Sequence, residues 1–245
     1  MRKREILANL SYLYHGDWNK ISNGVIHNEI PKNHNIKEKY ITIFDKEYPQ
    51  EFFTLRYPPW VLFYEGDISL LNKRKITIIG TRNPSEYGKE MCHLAINYLK
   101  EKYVTVSGLA KGIDGYVHRF SLDTGKTIGI IGSGLHTQYP SVNNDLYTIM
   151  KKEHLVMSEY PYYVPVKKYH FPWRNRLLAA LGEKIIVIEA KEQSGTVLTV
   201  NDAIALSKEV YCFPHAFDNI YGKGCNKLIA EGAIPIYDEI QLKEI

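Results

Sequence analysis

Only three cysteines, Cys92, Cys212 and Cys225, occur in the 245 residues, and no two form a Cys-x-x-Cys pair. An odd, widely spaced set disfavours both a disulfide framework and a zinc site, so the thiols are expected to be reduced and no metal is expected. Long hydrophobic runs are also missing: no apolar stretch approaches a membrane span. The stretch after the basic start Met1-Arg2-Lys3-Arg4 is broken by polar residues, unlike a signal-peptide core. Internal repeats, low-complexity tracts and flexible Gly/Ser linkers are absent. Charge of one sign is scarce, with 31 Lys and Arg against 27 Asp and Glu, a net charge of +4. That balance permits an acidic partner without requiring one. A cytoplasmic protein without membrane contact is the expectation.

The remaining composition, 44% hydrophobic and 24% charged, is that of an ordinary globule with one sizeable core and room for a small appendage. Ile6, Leu7, Leu10, Leu13 and Tyr14 recur at helical spacing. Residues 1–38 therefore read as a short N-terminal helical segment, followed from Asn19 to Lys39 by a loosely structured connection rich in Asn and His. The run Tyr40-Ile41-Thr42-Ile43-Phe44 follows, and after Pro58-Pro59 a short strand is predicted at Trp60–Tyr64.

From Lys75 the rhythm is regular. Strands are predicted at Ile76–Ile79, Val104–Val106, Thr127–Ile131, Leu155–Met157, Lys184–Glu189, Glu209–Phe213 and Ile234–Ile236. Helices are predicted between them at Ser85–Lys102, Gly112–Thr124, Ser141–Lys152, Pro172–Leu181, Gly195–Ser207 and Gly224–Glu231. Strands apolar on both faces, alternating with helices, give an α/β fold: a Rossmann-like, doubly wound, mostly parallel sheet over residues 39–245 with a short N-terminal helical extension.

Four of these strands end in glycine-bearing turns: Gly80-Thr81-Arg82, Ser107-Gly108-Leu109, Gly132-Ser133-Gly134-Leu135 and Ser194-Gly195-Thr196. In a parallel sheet all four lie on one edge, where backbone N–H groups and helix N-termini can converge on phosphate. Arg82 offers a planar fork to a phosphate, or else a salt bridge that locks its turn. Gly132, Ser133, Gly134 and Leu135 present little bulk to a nucleic-acid backbone, or simply make a tight turn. Ser107, Gly108 and Gly112 repeat this pattern, with Lys111 as a mobile charge. Arg174, Asn175 and Arg176 follow Pro172 and suit a phosphate track, although either arginine could be a buried ion-pair strut. Ser194 and Gly195 could hold another anion, or Ser194 could merely cap its helix. Asp114 and His118, four residues apart, share a helix face but have no third ligand or nucleophile beside them, so a structural role is expected. Tyr160, Tyr162, Tyr163 and Tyr169, beside Lys167 and Lys168, could stack unpaired bases or cover the core.

Taken in order, the turns join further motifs. These include Tyr87-Gly88, Tyr139-Pro140 with Asn143, Ser158-Glu159-Tyr160-Pro161, Phe171-Pro172-Trp173-Arg174-Asn175-Arg176, Ile188-Glu189-Ala190 and Gly232-Ala233, with Asp45, Tyr48-Pro49 and Gly66 upstream. The series resembles the DNA-processing protein A family, also called DprA or Smf, over roughly residues 40–236. The resemblance implies a non-catalytic protein without a cofactor. Such a protein binds single-stranded DNA, forms a homodimer and loads a RecA-type recombinase during natural transformation. It departs from the family at Ser141, where a basic residue is common, and at His136, where an aspartate is frequent.

Two enzyme classes compete with this reading. Phosphoribohydrolases share the architecture, but their Pro-Gly-Gly-x-Gly-Thr turn is replaced here by Glu189-Ala190-Lys191-Glu192-Gln193-Ser194-Gly195-Thr196, leaving Glu189 and Glu192 as candidate acids. A nicotinamide or flavin oxidoreductase would need Gly-x-Gly-x-x-Gly after the first strand, which is missing.

Overall fold

The computed structural model describes residues 2–245; Met1, the first residue of the expected N-terminal segment, lies outside them. The described residues form one nine-stranded sheet. Its strands are β1 (Tyr40–Thr42), β2 (Val61–Gly66), β3 (Lys75–Ile79), β4 (Val104–Ser107), β5 (Thr127–Ile131), β6 (Leu155–Ser158), β7 (Lys184–Val187), β8 (Glu209–Cys212) and β9 (Ile234–Pro235). The spatial order is β1-β2-β6-β5-β4-β3-β7-β8-β9. From β6 to β9 the pairing is parallel throughout, whereas β2 pairs antiparallel with both β1 and β6. The parallel part thus starts at β3, winds outward through β4, β5 and β6, then returns to the other side of β3 with β7. Strand order reverses between β3 and β7, and in an open α/β sheet a ligand crevice forms outside the carboxyl ends at such a switch point.

The helices are α1 (Lys3–Leu13), α2 (Trp18–Ile26), α3 (Glu86–Leu99), α4 (Ile113–Ser121), α5 (Asn144–Glu153), α6 (His170–Leu181), α7 (Gly195–Ala205), α8 (Lys223–Ala230) and α9 (Glu239–Glu244). Two of these differ from the sequence reading. The polar stretch expected to be loose begins with α2, capped by the Asp17 carboxylate, which accepts the Lys20 N–H, and anchored by buried Ile21. The chain after Ile236 adds α9, which packs on α3 and buries Leu242 in the cluster that α3 and β3 share.

Every residue of β3 and β5 is buried, as sheet strands covered on both faces require. On one face Ile76 and Ile78 pack with Ala95, Ile96 and Leu99 of α3 and with Ile113 and Val117 of α4. On the other, Ile79, Val106, Ile130 and Val187 pack with Leu177 to Leu181 of α6 and with Val200 and Ala203 of α7. Fully burying each of the Val, Leu and Ile side chains among them contributes about 1.5–3 kcal/mol. A third cluster joins Leu7 and Leu10 of α1 and Ile21 of α2 to Val61, Phe63, Leu146 and Tyr147. The N-terminal helices therefore pack directly on the β2 end of the sheet. Cys92, Cys212 and Cys225 are buried free thiols.

Candidate nucleic-acid interface

The first and fourth turns flank the switch point, and their backbones are laced together. Thr81 donates its N–H to the Glu189 carbonyl at 2.7 Å, Ile113 donates to the Thr81 carbonyl at 3.0 Å, and the Thr196 hydroxyl donates to the Gly80 carbonyl at 3.1 Å. Gly112 makes the approach of the second turn possible: its φ is +86°, and a Cβ there would lie 2.3 Å from the Thr81 carbonyl oxygen. Between these turns opens a cleft of about 610 Å³. Gly80, Thr81, Arg82, Arg174, Asn175, Ser194 and Gly195 of the expected site all line it. So do Tyr139, Lys168, Phe171 and Lys191, which the sequence reading left out of the site.

Two further hollows adjoin the cleft. A small one of about 40 Å³ is lined by Arg82, Gly108, Lys111, Gly132, Ser133, Tyr139 and Phe171. Another of about 360 Å³ is lined by Arg82, Lys111, Gly112, Asn143, Lys89 and Arg119 among others. Arg82 is the expected site residue that borders all three. It is exposed, and among the described residues no carboxylate lies within salt-bridge distance of it. Its guanidinium stands 5.6 Å from the centre of the Phe171 ring, and Tyr139 lies 5.8 Å from the same ring. Exposed cation and half-exposed aromatics thus share one ledge. The alternative of a turn-locking salt bridge for Arg82 is not what this geometry contains.

Lys111 is exposed and donates to the Asn83 amide oxygen at 3.2 Å. Gly195 opens α7, and a Cβ added to it would meet nothing within 4 Å, so its backbone faces open space. The cleft lining carries four cations, Arg82, Lys168, Arg174 and Lys191, against the single carboxylate of Asp114. Together with the α7 N-terminus, this favours an anion.

Several expected contacts sit elsewhere. The buried Arg176 guanidinium donates to Glu159 at 2.7 Å and to the Tyr57 and Trp173 carbonyls at 3.1 and 2.8 Å, so it is the ion-pair strut of the two readings. Arg174 lines the cleft but is buried at its floor, donating to the Gly108 carbonyl at 2.7 Å and to the Ile130 carbonyl. Burial lowers its pKa, which neighbouring Asp114 opposes. Burial raises the Asp114 pKa, opposed by Arg174, by backbone N–H groups of the second turn and by Arg82. The two carbonyl bonds show Arg174 tying the ends of β4 and β5 together. Ser107 is fully buried and donates to the Ile78 carbonyl. Leu135 belongs to the N-terminal core cluster, and Gly134 packs against the carbonyls of Pro161 and Tyr162, so these two face away from the cleft. Asn143 borders the third hollow while its amide donates to the Leu109 and Ala110 carbonyls, holding the second turn in place.

Glu189, the candidate acid of a hydrolase, is fully buried and accepts the Ser85 N–H and hydroxyl at 2.8 and 2.7 Å, which fixes the start of α3. His118 is likewise structural, with Nδ1 2.7 Å from the Thr127 hydroxyl. Burial lowers its pKa from 6.5 to about 3, with the charges of His154 and Arg174 adding to the shift. The unfolded chain binds a proton that the fold refuses, so the contribution is fully present above pH 6.5 and is lost as pH falls from 6.5 toward 3. Urea midpoints measured at about pH 7 and about pH 4.5 should therefore fall less for His118→Asn than for the unsubstituted protein.

The family model for DNA recombination-mediator protein A matches residues 39–244. The chain belongs to this family. The DNA processing protein DprA of Bacillus subtilis is 42% identical over 200 residues, spanning 80% of this chain and 67% of that protein. The X-ray structure of Streptococcus pneumoniae DprA superposes with a TM-score of 0.84 at 32% identity, covering 98% of this chain and 94% of that one. The Helicobacter pylori DNA processing protein A, whose single-stranded DNA binding mode has been described structurally, superposes with a TM-score of 0.75 at 30% identity over 85% of this chain and 95% of that one. Membership in the DNA recombination-mediator protein A family agrees with the mixed α/β sheet and with the resemblance read from the motifs. No helix among the described residues is long and apolar enough to cross a membrane.

Proposed function

We propose that the cleft at the β3–β7 switch point grips single-stranded DNA without a covalent step, and that the protein, as a cytoplasmic homodimer, passes the strand to a RecA-type recombinase in natural transformation. In this reading residues 39–245 are the DNA-binding domain and residues 1–38 an appended helical segment. One observation carries the grip: Arg82, without an ion-pair partner among the described residues, stands above Phe171 where three hollows meet. A guanidinium there can fork onto a phosphate while an aromatic face takes a neighbouring base. Gly80, Thr81, Gly108, Gly132, Ser133, Ser194 and Gly195 provide close backbone approach, and Lys111, Lys168 and Lys191 add mobile charge. Arg174, Asn175, Asn143 and Gly112 hold the turns that present these groups. Family membership supports the handover and the dimer.

The test is titration of a short unstructured oligonucleotide, one that occupies the cleft alone, at several salt concentrations. Four exposed cations with no ion-pair partner among the described residues, Arg82, Lys111, Lys168 and Lys191, line these hollows, whereas Arg119 is paired with Asp145. At about −0.7 per phosphate contact, log affinity should fall with log salt at a slope near −3. A slope near zero, or no binding at low salt, contradicts the proposal.

A further inference from the structure

A separate hollow, of about 400 Å³, lies between the corner joining α1 to α2 and the segment that leads into α6. Trp18, Tyr169 and Trp173 supply its aromatic surface, and Lys20 and Lys167 its charge. Both lysines are exposed, and among the described residues neither is within salt-bridge distance of a carboxylate. The nearby Asp17 carboxylate is occupied as the α2 cap. Trp18 is held firmly: its indole N–H donates to the Pro58 carbonyl at 2.6 Å, and its ring stacks on Trp60 at 5.8 Å and meets Tyr57 edge-on at 5.0 Å. Tyr169, by contrast, is 64% exposed.

The walls are also fixed relative to each other. Gly16, at φ +76°, brings the α1–α2 corner so close to the β6 exit that an added Cβ would lie 2.9 Å from the Tyr160 ring and 3.0 Å from the Glu159 carbonyl. The hollow and the central cleft share one segment as their boundary. Lys168 and Phe171 line the cleft, while Lys167, Tyr169 and His170 line the hollow. A strand crossing residues 167–171 therefore passes from one to the other without leaving basic and aromatic surface. This combination, cations along the path with rings beside them, is what sequence-tolerant single-strand binding uses.

We infer that this hollow takes the bases of the same single strand as it leaves the central cleft, with Tyr169 and Trp18 as stacking surfaces and Lys20 and Lys167 as phosphate contacts. The inference rests on the single-strand reading of the cleft. It assigns the N-terminal helices a part in DNA binding, since they supply one wall.

All three tryptophans of the chain, Trp18, Trp60 and Trp173, lie in or against the hollow, so it carries its own optical signal. The test uses oligothymidylates from about 4 to about 20 nucleotides, with the unsubstituted protein and Lys20→Ala/Lys167→Ala/Tyr169→Ala, both checked for folding by circular dichroism. Long oligomers should quench tryptophan emission and bind more tightly than short ones. The triple variant should lose about tenfold in affinity for the long oligomers, with the quench, and keep its affinity for the short ones. Removing two phosphate contacts should also make the long-oligomer salt slope shallower by about 1.4. Unchanged long-oligomer affinity and quench in the triple variant overturn the assignment of the hollow while leaving the cleft intact. Failure of the unsubstituted protein to bind any length overturns the reading of the cleft, and this inference with it.

Discussion

Replacing Arg82 with alanine should weaken single-stranded DNA binding by about ten- to a hundredfold, because it removes a charge-assisted, forked contact worth about 1.5–3 kcal/mol. The salt slope should become shallower by about 0.7, the signature of one lost phosphate contact. Folding should hardly change. Arg82 is exposed, has no ion-pair partner among the described residues and touches the fold mainly through the Phe171 ring, an exposed cation–π contact worth about 0.5–1 kcal/mol. Fluorescence anisotropy with a labelled oligonucleotide and a urea melt separate the two effects. Arg82→Lys makes a useful companion: it keeps the charge but loses the fork, so it should recover the salt slope before it recovers the affinity.

Arg176→Ala should behave in the opposite way, costing about 3–5 kcal/mol of stability. Its guanidinium pairs with Glu159 at 2.7 Å, with both side chains more than nine-tenths buried. It also lies 4.2 Å from the centre of the Trp173 ring. Truncation leaves the Glu159 carboxylate buried without its counter-charge, and the carbonyls of Tyr57 and Trp173 without their donor. The urea midpoint should drop sharply, while protein that remains folded binds oligonucleotide with near-normal affinity. Glu159→Gln in the same chain should restore part of the loss, since it removes the stranded charge. Two arginines from the same set of motifs thus carry separable roles, one felt in binding and the other in folding.

That separation was not legible in the sequence. Arg82 and Arg176 present the same chemistry on paper, and what distinguishes them is a partner 17 residues before Arg176, brought in by the β6–α6 crossover. Arg174 is similar: its carbonyl partners, Gly108 and Ile130, end two different strands, so its strut role exists only once those strands are side by side. The strands themselves were legible because parallel strands covered on both faces appear as unbroken apolar runs such as Ile76 to Ile79. The four turns followed from their glycines, and their common edge from parallel pairing.

α2 escaped for a physical reason. Only Ile21 and Gly24 of its nine residues are buried, so the periodic apolar signal on Trp18–Ile26 is short and surrounded by Asn, Lys and Ser. Phe171 and Tyr139 were visible in motifs, but nothing local indicates that their rings lie beside Arg82, because the three residues come from separate crossovers. Gly134 and Leu135 misled in the other direction. A small-residue turn on the binding edge can also be a turn that admits a neighbouring loop, and here the loop is Pro161-Tyr162.

Photo-cross-linking tests the location of the grip most directly. A single-stranded oligonucleotide carrying 5-iodouracil, irradiated on the protein and mapped by mass spectrometry, should attach to Phe171 and Tyr139, the aromatic residues beside Arg82. Cross-links confined to residues away from the β3–β7 edge, such as Tyr98 on α3 or Tyr237 before α9, with Phe171 and Tyr139 unlabelled, would contradict the account.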